Sequence, residues 1–133
     1  MKRRQDGKAR RGSRDRGRGV AVIEFALIMP LLLMLVFGIV EFGQAYQARL
    51  TVTHAAREGV RVLAVTDNQP AAEAAALAAA TGIDQALVTI VATPCAAGMP
   101  AVVVVTYPVV IDVPGTGTYN LTVEGKAVMT CLD

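Results

Sequence analysis

Glu24 is the residue whose chemistry most needs explaining. It is the only charge in the 21 residues from Val20 to Val40. As a helix at about 1.5 Å per residue, that run spans roughly 31 Å, the depth of a bilayer's hydrocarbon core. Starting at Phe25 instead leaves roughly 24 Å, which is too short, so a full span holds Glu24 below the headgroups. An ionised carboxylate at that depth costs several kcal/mol unless it is neutralised or paired. Three partners are open to it. The side chain can snorkel to the inner interface beside Arg16 or Arg18; it can meet a cation on another membrane protein; or it can meet a chain amino terminus that processing has created.

Other reactive residues are few. Cys95 and Cys131 are the only cysteines, with 35 residues between them. On the outer side of a membrane a disulfide is the natural reading, worth roughly 4 kcal/mol in the chain-entropy model. Two independent buried thiols are the alternative. There is no CxxC spacing and only one histidine, so no metal or other cofactor is expected. His54 reads as an ordinary helix residue, Gly115-Thr116-Gly117 as a turn, and Asn120-Leu121-Thr122 as a chance match to a glycosylation sequon. With no Ser/His/Asp set and no phosphate loop, no catalytic site is expected and the chain does not read as an enzyme.

The elements that must position Glu24 follow from charge and periodicity. Residues 1–19 hold nine Lys/Arg and two Asp, whereas residues 20–133 hold four Lys/Arg and nine Asp/Glu. The positive-inside rule therefore puts residues 1–19 in the cytoplasm and the C-terminal part outside. The basic start has no interleaved aromatic residue for base stacking, so a topogenic flank explains it better than nucleic-acid binding does. Three segments result: a basic leader (1–19) expected to lack structure, a transmembrane helix (20–43) and an outer domain (44–133). The helix is expected to start near Gly19 or Val20, with a kink at Pro30.

Beyond Glu41 the helical pattern continues. Ala45, Ala48, Val52, Ala55, Ala56, Gly59, Val60 and Leu63 fall on one face, which predicts one helix running on to about Val65. Thr66-Asp67-Asn68-Gln69-Pro70 breaks it, and Ala71–Thr81 reads as a second helix closed by Gly82. Strands are expected at Ala86–Thr93 and Ala101–Thr106, with Pro108 marking an edge or bend. The cleanest strand is Tyr119–Cys131. There Tyr119, Leu121, Val123, Gly125, Ala127, Met129 and Cys131 alternate with mostly polar neighbours and form the face to be buried. Pro114-Gly115-Thr116-Gly117 supplies the preceding turn. The fold class is α+β: a long helix, transmembrane in its lower half, with a short helix and a small antiparallel sheet of three or four strands covering its upper half.

Gly19, Val20, Glu24 and Phe25, ahead of an unbroken apolar helix and behind a basic leader, resemble the processing site of the type IV pilin class. Three further stretches narrow the likeness: Phe25-Ala-Leu-Ile-Met-Pro-Leu-Leu-Leu33, Gly38-Ile-Val-Glu41-Phe42-Gly43-Gln-Ala-Tyr46 and Ala55-Ala56-Arg57-Glu58-Gly59-Val60-Arg61. Together they resemble the TadE-like family, minor pilins (pseudopilins) of the tight-adherence, or Flp, pilus system of bacteria. The likeness covers Gly19 to about Val65. It implies a pilin-like fold and a bacterial cytoplasmic-membrane location. It also implies cutting between Gly19 and Val20 by a prepilin peptidase, and assembly with other pilin or pseudopilin subunits and Tad proteins into an adhesive, secreted fibre. In that assembly Glu24 would meet the new amino group of a neighbouring subunit. Glu41 falls about 26 Å above Glu24, near the outer interface. Arg57, Glu58 and Arg61 read equally well as a docking surface or as solvated pairs along the helix.

Two other classes are compatible with the residues. A secreted binding domain would follow from signal-peptidase cleavage before Tyr46, where Gly43 and Ala45 are suitably small. An uncleaved single-pass anchor or scaffold would retain residues 1–19.

Overall fold

A computed structural model describes residues 12–113, 115 and 117–131, with side chains from Gly19 onward. The chain divides into two compact units, Met1–Gly38 and Ile39–Asp133. In element order these contain α1 (Gly12–Thr66), α2 (Gln69–Ala79), a single 3-10 turn (Gln85–Leu87), β1 (Thr89–Thr93), β2 (Ala101–Val113) and β3 (Gly117–Met129). This is the α+β arrangement expected.

α1 begins at Gly12 rather than near Gly19, so residues 12–19 of the leader are helical; residues 1–11 lie outside those described. Extending a formed helix costs far less than nucleating one, and arginine is a good helix former, so the apolar run carries the helix back into the basic segment. The helix continues through Pro30 without a break. It stops at Asp67, whose φ of 47° is left-handed and whose N–H bonds back to the Leu63 carbonyl. Asn68 then caps α2 by accepting from the Ala71 N–H at 3.1 Å, with Pro70 in the first turn where no amide donor is needed.

The sheet order is β1-β2-β3, antiparallel throughout. Two expected boundaries move. Residues 85–87 turn instead of extending, because Asp84 accepts from the Ala86 N–H and Gln85 Nε2 bonds the carbonyls of Leu77 and Ala80. Such local side-chain bonds compete with a strand. β2 runs on through Pro108 to Val113; β1 pairs with it only as far as Thr106, so Pro108 sits where β2 has become an edge. The hairpin closes where Val113 pairs with Gly117, and Gly115 has the positive φ that the turn requires.

All eight residues of the predicted α1 face are buried, from Ala45 to Leu63. They pack in one core with Ala72, Ala76 and Ala80 of the α2 segment and with Ala101, Val103, Val105, Val109, Val123 and Ala127 of the sheet. Eleven of the eighteen core residues are alanine, so the layers lie close and each buried side chain contributes little apolar area. Two glycines permit the closest approaches. A Cβ on Gly59 would stand 2.9 Å from Ala76 Cβ and 3.2 Å from the Ala72 carbonyl oxygen, and one on Gly125 would overlap the backbone of Val52 and Thr53. The phase of the β3 alternation is as expected, yet only Val123, Gly125 and Ala127 are buried; Tyr119, Leu121 and Met129 are exposed.

Candidate functional site

In the first unit the site is the surface of α1 itself. Every residue from Gly19 to Val40 is exposed, including Phe25, Leu27 and Leu31 at 62%, 74% and 71%. An apolar surface of that extent demands lipid or other apolar helices around it. One helix of the described chain is long and apolar enough to cross a membrane. Glu24 stands exposed on this helix, and no ion-pair or hydrogen-bond partner reaches it among the described side chains; those of Arg16 and Arg18 lie outside them. Gly19 and Val20 are within the helix, one turn before Glu24, and no side chain packs within 4 Å of the Gly19 position. Pro30 leaves the Ala26 carbonyl without its usual helical donor.

The second unit splits the Ala56–Arg61 motif into two sets by helical phase. Ala56, Gly59 and Val60 are buried, with Gly59 as the contact point between α1, α2 and Val103 of β2. Arg57, Glu58 and Arg61 point the other way, into an open groove of about 510 Å³ that His54 and Lys126–Met129 also line. The Arg61–Glu58 pair is 3.9 Å apart, its side chains 72% and 43% exposed, so solvent screens it and it adds little stability. His54 shares the helix face of Arg57, Glu58 and Arg61 by spacing alone, whereas Lys126 could not be assigned to this groove from sequence, because β3 reaches α1 only through the long-range fold. The groove offers cations to a carboxylate or phosphate. Among the described residues no three His, Cys, Asp or Glu converge as metal ligands.

Glu41 is half-buried, whereas Phe42 and Gly43 are exposed. The Phe42 and Tyr46 rings stack with centroids 6.4 Å apart. Cys95 and Cys131 form a disulfide with Cα atoms 6.2 Å apart, tying the loop after β1 to the end of β3, which removes the two-thiol alternative. Asp67 accepts from the Cys95 N–H at 3.4 Å, joining the end of α1 to that same loop; no sequence signal pointed to it.

Residues 19–61 match the family model described as TadE-like protein. Over that segment, which contains the apolar run, Glu24 and the Ala56–Arg61 motif, the chain is similar to proteins associated with tight-adherence pili. No curated protein and no solved structure matches the chain.

Proposed function

We propose that this chain is a minor pilin, or pseudopilin, of a tight-adherence pilus. It inserts with residues 1–19 in the cytoplasm and its C-terminal domain outside, is cut between Gly19 and Val20, and enters or primes the fibre by packing its apolar helix against sister subunits. The observation that carries this reading is the exposed apolar stretch of α1 bearing one carboxylate five residues after Gly19, within the segment similar to TadE-like proteins. A positive α-amine on a neighbouring subunit neutralises that carboxylate in hydrocarbon and fixes the axial register of the two helices. Prepilin peptidase, other pilins and Tad assembly proteins are the partners this role requires.

A second reading has its own support. The Gly19–Val20 bond lies inside a helix that starts at Gly12, and a protease must unwind such a bond before cutting it. An uncleaved single-pass anchor with the same outer domain needs no unwinding. The secreted-domain alternative fares worse, since cutting before Tyr46 would interrupt α1 and remove Ala45 from the core.

The mass and N-terminal sequence of membrane-extracted protein separate these readings: Val20 for a processed pilin, Met1 or Lys2 for an anchor, Tyr46 for a secreted domain. Glu24→Ala is expected to leave insertion intact while abolishing incorporation into pili. Unchanged piliation in that variant would exclude the intermolecular pairing.

A further inference from the structure

The side of the β2–β3 hairpin that faces α1 stays apolar beyond the point where other described residues cover it. Register pairs Val109 with Leu121, Ile111 with Tyr119 and Val113 with Gly117, continuing the inward row of Val103, Val105 and Val123. Val109 is still buried, but Leu121 and Tyr119 are 46% and 55% exposed. Leu121 lines an open groove with Phe42 and Tyr46 of α1, which are themselves 73% and 56% exposed.

The path of β3 says what lies there. Met129 shares a groove with Arg57 and Arg61, Gly125 lies on Val52, and Leu121 lies by Phe42 and Tyr46. Strand and helix numbers fall together, so β3 follows α1 from Arg61 down to Phe42. Two more strand residues take Tyr119 about 7 Å past Leu121. The four helix residues from the midpoint of Phe42 and Tyr46 down to Val40 cover about 6 Å. By these rises Tyr119 falls at about the level of Val40, the last residue of the apolar run. From Val109 to Leu121 the only charge is Asp112, and there is no Lys or Arg.

Building on α1 as a membrane anchor, we propose that the end of this hairpin is a second lipid contact. Ile111, Tyr119 and Leu121 seat, with Phe42 and Tyr46, in the boundary between headgroups and acyl chains of the outer leaflet. Tyrosine suits that boundary because its ring is apolar and its hydroxyl stays wet. The hairpin end itself carries no cation, and along the groove Arg49 is accompanied by Glu124, so the contact draws on apolar burial and needs no anionic lipid. It sets the domain's rotation about its helix, and a subunit leaving the bilayer must release it.

The chain contains no tryptophan, so a single introduced one reports its own surroundings. Tyr119→Trp, Leu121→Trp, Val128→Trp and Ile28→Trp variants of the full chain are reconstituted in phosphatidylcholine vesicles whose acyl chains are brominated near the headgroup or near the methyl end. Tyr119→Trp and Leu121→Trp should emit to the blue of tryptophan in water and lose intensity to the shallow bromines at low and high salt. Val128→Trp, at the other end of β3, should show neither effect. If Ile28→Trp is quenched while both hairpin reporters emit as in water, the inference is overturned and the anchor stands. Blue-shifted but unquenched hairpin reporters would put a second copy of the chain on this face and also overturn it. An unquenched Ile28→Trp removes the anchor itself and this contact with it.

Discussion

Gly125 and Gly43 show how one residue type serves opposite needs. At Gly125 an added Cβ meets the backbone of Val52 and Thr53, which cannot swing aside as a side chain can. Gly125→Ala is expected to cost about 1–3 kcal/mol, seen as a lower denaturation midpoint in detergent. Gly43 has nothing within 4 Å. Gly43→Ala should leave the monomer as stable or raise it by up to about 1 kcal/mol through helix propensity. If piliation nevertheless fails in that variant, Gly43 is needed for contact between subunits, since the fold does not need it. The same division runs through the Ala56–Arg61 motif: Ala56 and Gly59 serve the core, whereas Arg57, Glu58 and Arg61 face solvent.

At the scale of elements, an alanine-rich core leaves the domain dependent on devices other than apolar area. The Cys95–Cys131 bond is the largest of these. Replacing both cysteines by serine should lower stability by about 4 kcal/mol in the chain-entropy estimate, measured by denaturant unfolding with and without reductant. The cap of α2 is a smaller one; Asn68→Ala should cost about 1 kcal/mol by the same measurement, because the Ala71 N–H loses its acceptor. α1 was legible because its buried face repeats every three or four residues over five turns, and β3 because its alternation has period two. β2 was cut short at Pro108 for a sound local reason, since proline stops a central strand. Only the short reach of β1 makes that position an edge.

For the whole molecule, charge asymmetry is the controlling quantity. Nine cations precede the apolar run and only four follow it, so in the proposed membrane role orientation is set electrostatically as the helix inserts. Replacing the leader's Lys and Arg with Gln should scramble that orientation. Protease added to sealed cells lacking an outer barrier should then reach the C-terminal domain in only part of the population, where the native chain is fully accessible.

What the residues determined by themselves is whatever depends on neighbours a few positions apart: the apolar run and its single acid, the face of α1, the breaks at Asp67 and Gly115, and the phase of β3. Only the tertiary structure decided what depends on elements meeting across the chain. It joined Cys95 to Cys131, set Lys126 beside Arg57 and Arg61, pressed Gly125 onto Val52, and left Tyr119 and Leu121 uncovered. Periodicity marks which face of a strand is apolar. How far along the strand that face finds cover depends on where the packed helix and sheet diverge, and no local pattern records that.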